Sequence, residues 1–290
     1  MRGLPVSPAT RFLIFSVLSF LALVHVFRQK VALPLLGEPD SMYMAWNRCM
    51  FDEMSQLSTL SEDAFWTGLE KPMQKCEVLM SRLTMIPFNN KDETKYSVLP
   101  LKSHTVSTIV SLGVGQDVNA ELLLRQRLYS AQFFGADPIV EGNDALYSAF
   151  GTFFPFAVGN SSRMSNASVL LNGSYVDKPV IHVEFVYFLK KLVNRTYFDN
   201  IWMDAENAEY ELFEYFYVGG ELDRAGITVC QFNMEVHSPD GQKKKQFREF
   251  MTRIFSDEKY AFFRPVRASH FRLYFVNFKD PKCTNAYIGY

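Results

Sequence analysis

An excess of charge of either sign is missing from this sequence. Its 30 Lys and Arg stand against 31 Asp and Glu, for a formal charge of -1 and a pI near 6.5. Without surplus positive charge there is no electrostatic footprint for DNA or RNA, and nucleic acid is excluded as an expected partner. Internal repeats and low-complexity tracts are missing too. A mean hydropathy of -0.06 excludes a polytopic membrane protein, although an average of this kind can hide one spanning segment. Cysteine is scarce: Cys49, Cys76, Cys230 and Cys283 form an even set, compatible with two disulfides or with four buried thiols. What the chain does have is apolar mass. With 48% hydrophobic and 15% aromatic residues over 290 positions, it holds enough to bury one sizeable domain with additions, and far too much for disorder.

One long hydrophobic run is present, residues 12–27 (FLIFSVLSFLALVHVF), flanked by Arg11 on one side and by Arg28 and Lys30 on the other. As a helix it spans roughly 24 Å, a little under the ~30 Å hydrocarbon core, and the flanking cations can snorkel to close the difference. The run ends His25-Val26-Phe27-Arg28, a poor cleavage site, so an uncleaved signal anchor is expected in preference to a cleaved signal peptide. Four N-x-S/T sequons follow, at Asn160, Asn166, Asn172 and Asn194. Together these features give the expectation of a single-pass type II membrane protein. It would have a cytosolic tail (1–11), an anchor (12–27), a stem (28–40) and a glycosylated lumenal body in the Golgi or endoplasmic reticulum, with a secreted protein as the alternative.

Apolar spacing over 41–82 predicts two or three helices, a helical cap that a polar, turn-rich linker at 87–95 separates from the rest. The remainder, 101–290, alternates short β-rich runs with helical stretches. Strands are expected over 106–112, 131–136, 152–158, 200–203, 228–236, 260–265 and 270–278. Helices are expected over 119–129, 142–150, 183–193, 205–216 and 242–255, and a hairpin around 164–175. The repeated strand-helix-strand order predicts an α/β fold with a mainly parallel sheet and helices on both faces. Lys243, Lys244 and Lys245 read as a solvated helix face.

Ligands in such sheets bind at the carboxyl ends of the strands, and four of those ends carry suggestive residues. Gly113 and Gly115, followed by Gln116 and Asp117, give a turn where backbone can approach a ligand at the start of a helix. Asp137-Pro138 closes the next strand at close to the offset where an acid takes ribose hydroxyls. The pair points to a ligand containing a nucleoside. Asp204 leaves a hydrophobic strand just before Glu206 and Glu209, either as a helix cap with acidic neighbours or as chemistry. His237 ends a strand two residues after Glu235, either as a structural histidine or as a general base.

Between about residues 106 and 237 the sequence resembles the FkbM-type S-adenosylmethionine-dependent methyltransferases. The resemblance is carried by Gly113-Val-Gly115, Asp137-Pro138, Ala157-Val158-Gly159, the run from Asp204 to Glu209, and Glu235-Val-His237. Two positions depart from the pattern. Ser111 stands where many methyltransferases place an acid, which bears on contacts to the methionine end of the cofactor, and Asn207 replaces a glycine. The resemblance implies a Rossmann-like methyltransferase fold with an antiparallel last strand. It also implies transfer of a methyl group from S-adenosylmethionine to a hydroxyl. On that basis Gly113, Gly115, Asp117 and Asp137 would bind cofactor. Asp204, Glu206 or His237 would orient or deprotonate the acceptor, a hydroxylated small molecule or a glycan. The same sheet implies pairing of Cys230 with Cys283. Cys49 and Cys76, both in the helical cap, are the natural second pair, and Asn160 follows the third strand, on the side where an adenine would lie. Two other functions stay open. One is a Golgi-type glycosyltransferase holding a metal at Asp204-x-Glu206, and the other is a methyltransferase fold that only binds.

Overall fold

A computed structural model describes residues 39–102, 106–171, 174–237 and 239–289. The apolar run 12–27, its tail and most of its stem, and the sequon at Asn172 lie outside the described residues. Among the described residues no helix is long and apolar enough to cross a membrane.

The helical spacing after residue 41 is realised as α1 (Pro39–Leu57), α2 (Glu62–Gly68) and α3 (Glu70–Glu77). The Ser61 hydroxyl caps α2 by accepting the Ala64 N–H, and Glu62 and Asp63 complement the helix dipole. Helix α1 buries Trp46, Met50, Met54 and Leu57 on one stripe, and Trp46 sits edge-on to Phe262 at 5.2 Å. The helices therefore share one core with the sheet that follows.

The stretch expected as a polar linker is a hairpin instead: β1 (Ile86–Asn89) pairs antiparallel with β2 (Thr94–Ser97). Its anchorage is remote in sequence. The Asn233 side chain accepts the Tyr96 N–H at 2.7 Å and donates to the Tyr96 carbonyl at 2.9 Å. Gln231 does the same for Val98, at 2.8 and 3.0 Å. Two buried side-chain amides thus stand in for a neighbouring strand, which no local pattern reveals.

The chain continues through β3 (Thr108–Leu112), α4 (Asn119–Arg127), β4 (Gln132–Ala136), α5 (Asn143–Ser148) and β5 (Thr152–Phe154). Next comes a side sheet of β6 (Ala157–Gly159), β7 (Arg163–Leu171) and β8 (Ser174–Glu184), in the order β6-β8-β7. After β9 (Tyr197–Phe198) come β10 (Asn200–Met203), α6 (Glu209–Leu212), β11 (Thr228–Val229), β12 (Gln231–Val236), α7 (Gly241–Ser256), β13 (Tyr260–Arg267), β14 (Phe271–Asn277) and α8 (Pro281–Tyr287).

The main sheet has the order β13-β14-β12-β10-β3-β4-β5. Strands β5, β4, β3, β10 and β12 run parallel, and β14 lies antiparallel beside β12, as the resemblance implied. Central strands β3, β10 and β12 are buried at every position because both faces are covered. Along β3, Val110 and Leu112 enter one core while Ile109 enters the other; on β10, Ile201 and Met203 oppose Trp202 in the same way. Edge strand β13 tolerates Pro265 inside a register shift between Phe263 and Val266.

Three expected boundaries are corrected. The strand over 152–158 breaks at Pro155 into β5 and β6, which belong to different sheets. The hairpin runs on to Glu184, whose carboxylate then accepts the Val186 and Tyr187 N–H groups and starts the next helical turn there. The helix expected from 205 begins only at Glu209, because Glu206 (φ 47°) and Asn207 (φ 80°) hold left-handed backbone. Asparagine is among the few non-glycine residues that accept this region readily, which is how it fills a glycine position.

Cys49 pairs with Cys76 and Cys230 with Cys283, with Cα separations of 5.7 and 5.1 Å. Replacing both cysteines of either bridge with serine is expected to lower unfolding stability by about 2–4 kcal/mol. Urea titration of purified protein checks this, and a midpoint unchanged in both double variants contradicts it.

Candidate functional site

Register decides which residues meet. Leu112 lies opposite both Ala136 and Met203, and Met203 lies opposite Met234. The next residue on each strand therefore emerges at the same edge: Gly113, Asp137, Asp204 and Glu235. Gly113 (φ 86°) donates its N–H to the Ala136 carbonyl at 2.9 Å, while the Asp204 N–H donates to the Leu112 carbonyl at 2.8 Å. A methyl group on Gly113 would lie 1.9 Å from the Asp204 carbonyl oxygen, so only glycine allows β3 and β10 to end this close together. Gly115 (φ 61°) faces open space instead.

Above this edge is a cavity of about 240 Å³. Its floor includes Gly113, Gly115, Asp137, Asp204 and Glu206, and its far wall is the side sheet, with Ser165, Ser168 and His182. Asp137 is buried and does structural work at the rim. One oxygen accepts the Val114 and Gly115 N–H groups at 2.9 and 3.3 Å, and the other accepts the Ile139 N–H at 2.8 Å. Of the about four acceptor positions on a carboxylate, three are used, which leaves room for a single hydroxyl of a ligand. Asp117 does not line the cavity, contrary to its expected role in cofactor binding. Its oxygens accept the Lys91 and Asn119 N–H groups at 2.9 and 3.0 Å, tying the β1–β2 hairpin to the start of α4. Asn166 lines the cavity mouth and is exposed, whereas Asn160, expected near the cleft, is absent from the lining and accepts the Arg163 guanidinium at 2.6 Å.

His237 also stands off the cavity, behind Asp204. Its Nδ1 and its backbone N–H both meet Glu209 Oε1, at 2.9 and 2.6 Å. Its Nε2 faces Asp204 Oδ1 at 3.3 Å, Glu235 Oε1 at 3.4 Å and Glu206 Oε2 at 3.8 Å. Burial disfavours charge on this ring, but Glu209 and Glu235 outweigh it and raise the pKa to about 11. At neutral pH His237 is therefore an imidazolium and is not a free base. Burial also opposes ionisation of Glu235, yet contacts from His237 and Arg272, the latter at 2.6 Å, hold its pKa well below the usual carboxylate range. Asp204 behaves in the opposite way. Desolvation, with Glu93 and Glu235 adding negative charge, pushes it up to about 8 against the pull of His237 and Lys95. Its Oδ1 is shielded from solvent and accepts no hydrogen bond. Asp204, Glu235 and His237 bring ligand atoms within 4.8 Å of one another, a spacing that suits a metal ion.

Glu206 and Glu209, the acidic neighbours of Asp204 in sequence, part company in space. Glu209 is wholly buried behind the histidine, while Glu206 looks into the cavity. Lys243 is only partly a solvated lysine, since its ammonium bonds the Asn207 side chain at 2.7 Å. Sequence reasoning missed Lys95 altogether. It is buried, pairs with Glu93 at 2.7 Å, and lies over the Trp202 ring. Its place in a polar, turn-rich stretch gave no sign of burial.

Comparison with known proteins agrees with this geometry. A family model described as the methyltransferase FkbM domain matches residues 69–265. An uncharacterized protein of Caenorhabditis elegans, C28H8.7, is 28% identical over 105 residues, which is 36% of this chain and 36% of its own length. The matched part thus spans about a third of that relative.

Gly113→Ala is expected to force the β3 and β10 ends apart, costing at least about 3 kcal/mol, whereas Gly115→Ala pays only a left-handed backbone cost of about 1 kcal/mol. Thermal unfolding of the two variants side by side checks the contrast, and equal shifts contradict it.

Proposed function

This chain belongs to the methyltransferase FkbM family, and we propose that it moves a methyl group from S-adenosylmethionine to a hydroxyl acceptor. One observation carries the reading: the glycine turn, Asp137 and Asp204 converge on a single cavity at the carboxyl edge of the parallel strands. The residues suit such a cofactor. Gly115 leaves open space beside backbone, Asp137 keeps one acceptor position for a ribose hydroxyl, and the cavity floor ends at the Asp204 carboxylate. When bound, the cofactor supplies an electrophilic methyl carbon on sulfonium sulfur.

The chain's own part is alignment and proton removal. Asp204 is the group suited to take the hydroxyl proton, because it borders the cavity and changes charge close to neutral pH. His237 holds it in place, and Glu209 holds His237. Serines and His182 on the side-sheet wall favour a hydroxylated acceptor, small molecule or glycan, over an apolar one. The two disulfides and the apolar run 12–27 support a place in an oxidising secretory compartment, anchored by that run as a type II protein. The glycosyltransferase alternative needs a cation at Asp204 and Glu206, and metal binding is what separates it from the methyltransferase reading.

Binding separates the alternatives first. S-adenosylhomocysteine is expected to raise the melting temperature, and a nucleoside diphosphate with manganese is not; the reverse result defeats the reading. Methyl transfer to a secretory-pathway glycan pool, followed as S-adenosylhomocysteine release, is expected to rise about tenfold per pH unit up to about pH 8 and then level, since Asp204 acts when deprotonated. Asp204→Asn should remove at least about 100-fold of the rate. His237→Gln takes away a positive charge that favours ionised Asp204, so its pH profile should move to higher pH. A profile that stays in place would show that His237 does not act on Asp204.

A further inference from the structure

A second cavity, of about 260 Å³, lies between the β1–β2 hairpin and strands β10, β12, β13 and β14. Met203, Met234 and Glu235 line it, so it reaches the same strand ends as the first cavity. The carboxylate of Asp204 in the first cavity and that of Glu235 in the second come within 4.8 Å of each other. The proposed base therefore stands one side chain away from a second space.

Most of the charge on this second wall is spent internally. Lys95 pairs with Glu93 at 2.7 Å. Arg272 uses all its side-chain nitrogens, on Glu235 at 2.6 and 3.4 Å and on the Asp92 carbonyl at 2.7 Å. Lys91 and Asp92 are opposite charges side by side on the exposed hairpin tip. Arg264 differs from all of these. Its backbone is left-handed (φ 54°), inside the register shift of β13. Such backbone is unfavourable for a residue with a Cβ, and bulges of this kind re-aim side chains beside active sites. Here the guanidinium lies over the Tyr96 ring at 5.2 Å, with its Nε 3.1 Å from Glu77 Oε1, while Glu77 Oε2 accepts the Arg264 backbone N–H at 2.8 Å. The group is thus held at one face and one edge, yet among the described residues none of its side-chain nitrogens makes a hydrogen bond. The side chain is 37% exposed and lines the cavity, so a ligand there can reach it.

A planar fork of N–H donors, fixed from behind and unspent, suits the paired oxygens of an oxyanion. We propose that the second cavity seats one end of the methyl acceptor, and that Arg264 binds an oxyanion group there, a carboxylate, sulfate or phosphate. The proposal rests on the methyltransferase reading and narrows its acceptor from a hydroxylated molecule to an anionic one. The hydroxyl end belongs at Asp204 and the anionic end under the hairpin.

Hexoses that share a ring serve as probes: glucose, which is neutral, and glucuronate, glucose 6-sulfate and glucose 6-phosphate, which are not. Their binding to the full chain, saturated with S-adenosylhomocysteine, is followed by saturation-transfer NMR. At least one anionic hexose is expected to bind about tenfold or more tightly than glucose, and the one that does identifies the oxyanion. Arg264→Gln should erase this preference, with S-adenosylhomocysteine binding at the other cavity showing that the variant is folded. Arg264→Lys, which keeps the charge and loses the fork, should retain part of it. Wild-type protein that binds glucose as well as every anion, or that binds no hexose, overturns the proposal whatever the variants do. So does a preference that survives in Arg264→Gln, since the anion would then sit elsewhere. Failure to bind S-adenosylhomocysteine overturns the methyltransferase reading instead, and it is seen before any hexose is added.

Discussion

The contact between Gly113 and the Asp204 carbonyl is the constraint on which the rest of the site depends. Where a side chain on Gly113 would collide, its absence lets β3 and β10 finish side by side with their backbone hydrogen bonds intact up to the last residue. That closeness brings the Asp204 side chain to the floor of the cavity and leaves the turn after Gly113 to be fastened by Asp137 from the neighbouring strand. A parallel sheet delivers its strand ends to one edge by construction, and here the register makes that delivery level across four strands.

Around this edge the protein buries an unusual amount of charge, and the pieces are sorted by position. His237 is set among carboxylates that favour its charged form, Glu235 is held as an anion by His237 and Arg272, and Lys95 is paired with Glu93. Glu121 and Glu209 each keep a buried oxygen with no hydrogen-bond partner, and Asp204 Oδ1 has the His237 imidazole 3.3 Å away, while burial opposes ionisation of Asp204 and Glu121. Glu209 shows the cost of the arrangement, since it is wholly buried to set the orientation of one imidazole.

How much of this was legible varies with how local the signal is. The order of strands and helices, the glycine turn, Asp137-Pro138 and the chain of acids ending at His237 could be read because periodicity and turn chemistry act over a few residues. The β1–β2 hairpin could not be read. Its polar residues look like a linker until Asn233 and Gln231, well over a hundred positions away, supply the hydrogen bonds of a missing strand. Pro155 marks the break between β5 and β6, but it does not say that the chain then leaves the main sheet for a separate one. The surroundings of Asp117 and His237 could not be read either, since only neighbours distant in sequence show that Asp117 ties two elements together and that Glu209 and Glu235 raise the pKa of His237.

The sequence by itself determined the class of fold, the pairing expected of the four cysteines once that fold was recognised, and which strand ends carry chemistry, since each follows from residue type and spacing along the chain. The tertiary structure alone decided which of those residues share a cavity and in what protonation state they sit there. Those properties depend on desolvation and on charges drawn from β2, α6, β12 and β14 together, and a carboxylate at the end of a strand becomes a base, a clamp or a counter-ion only when the distance to the others is set.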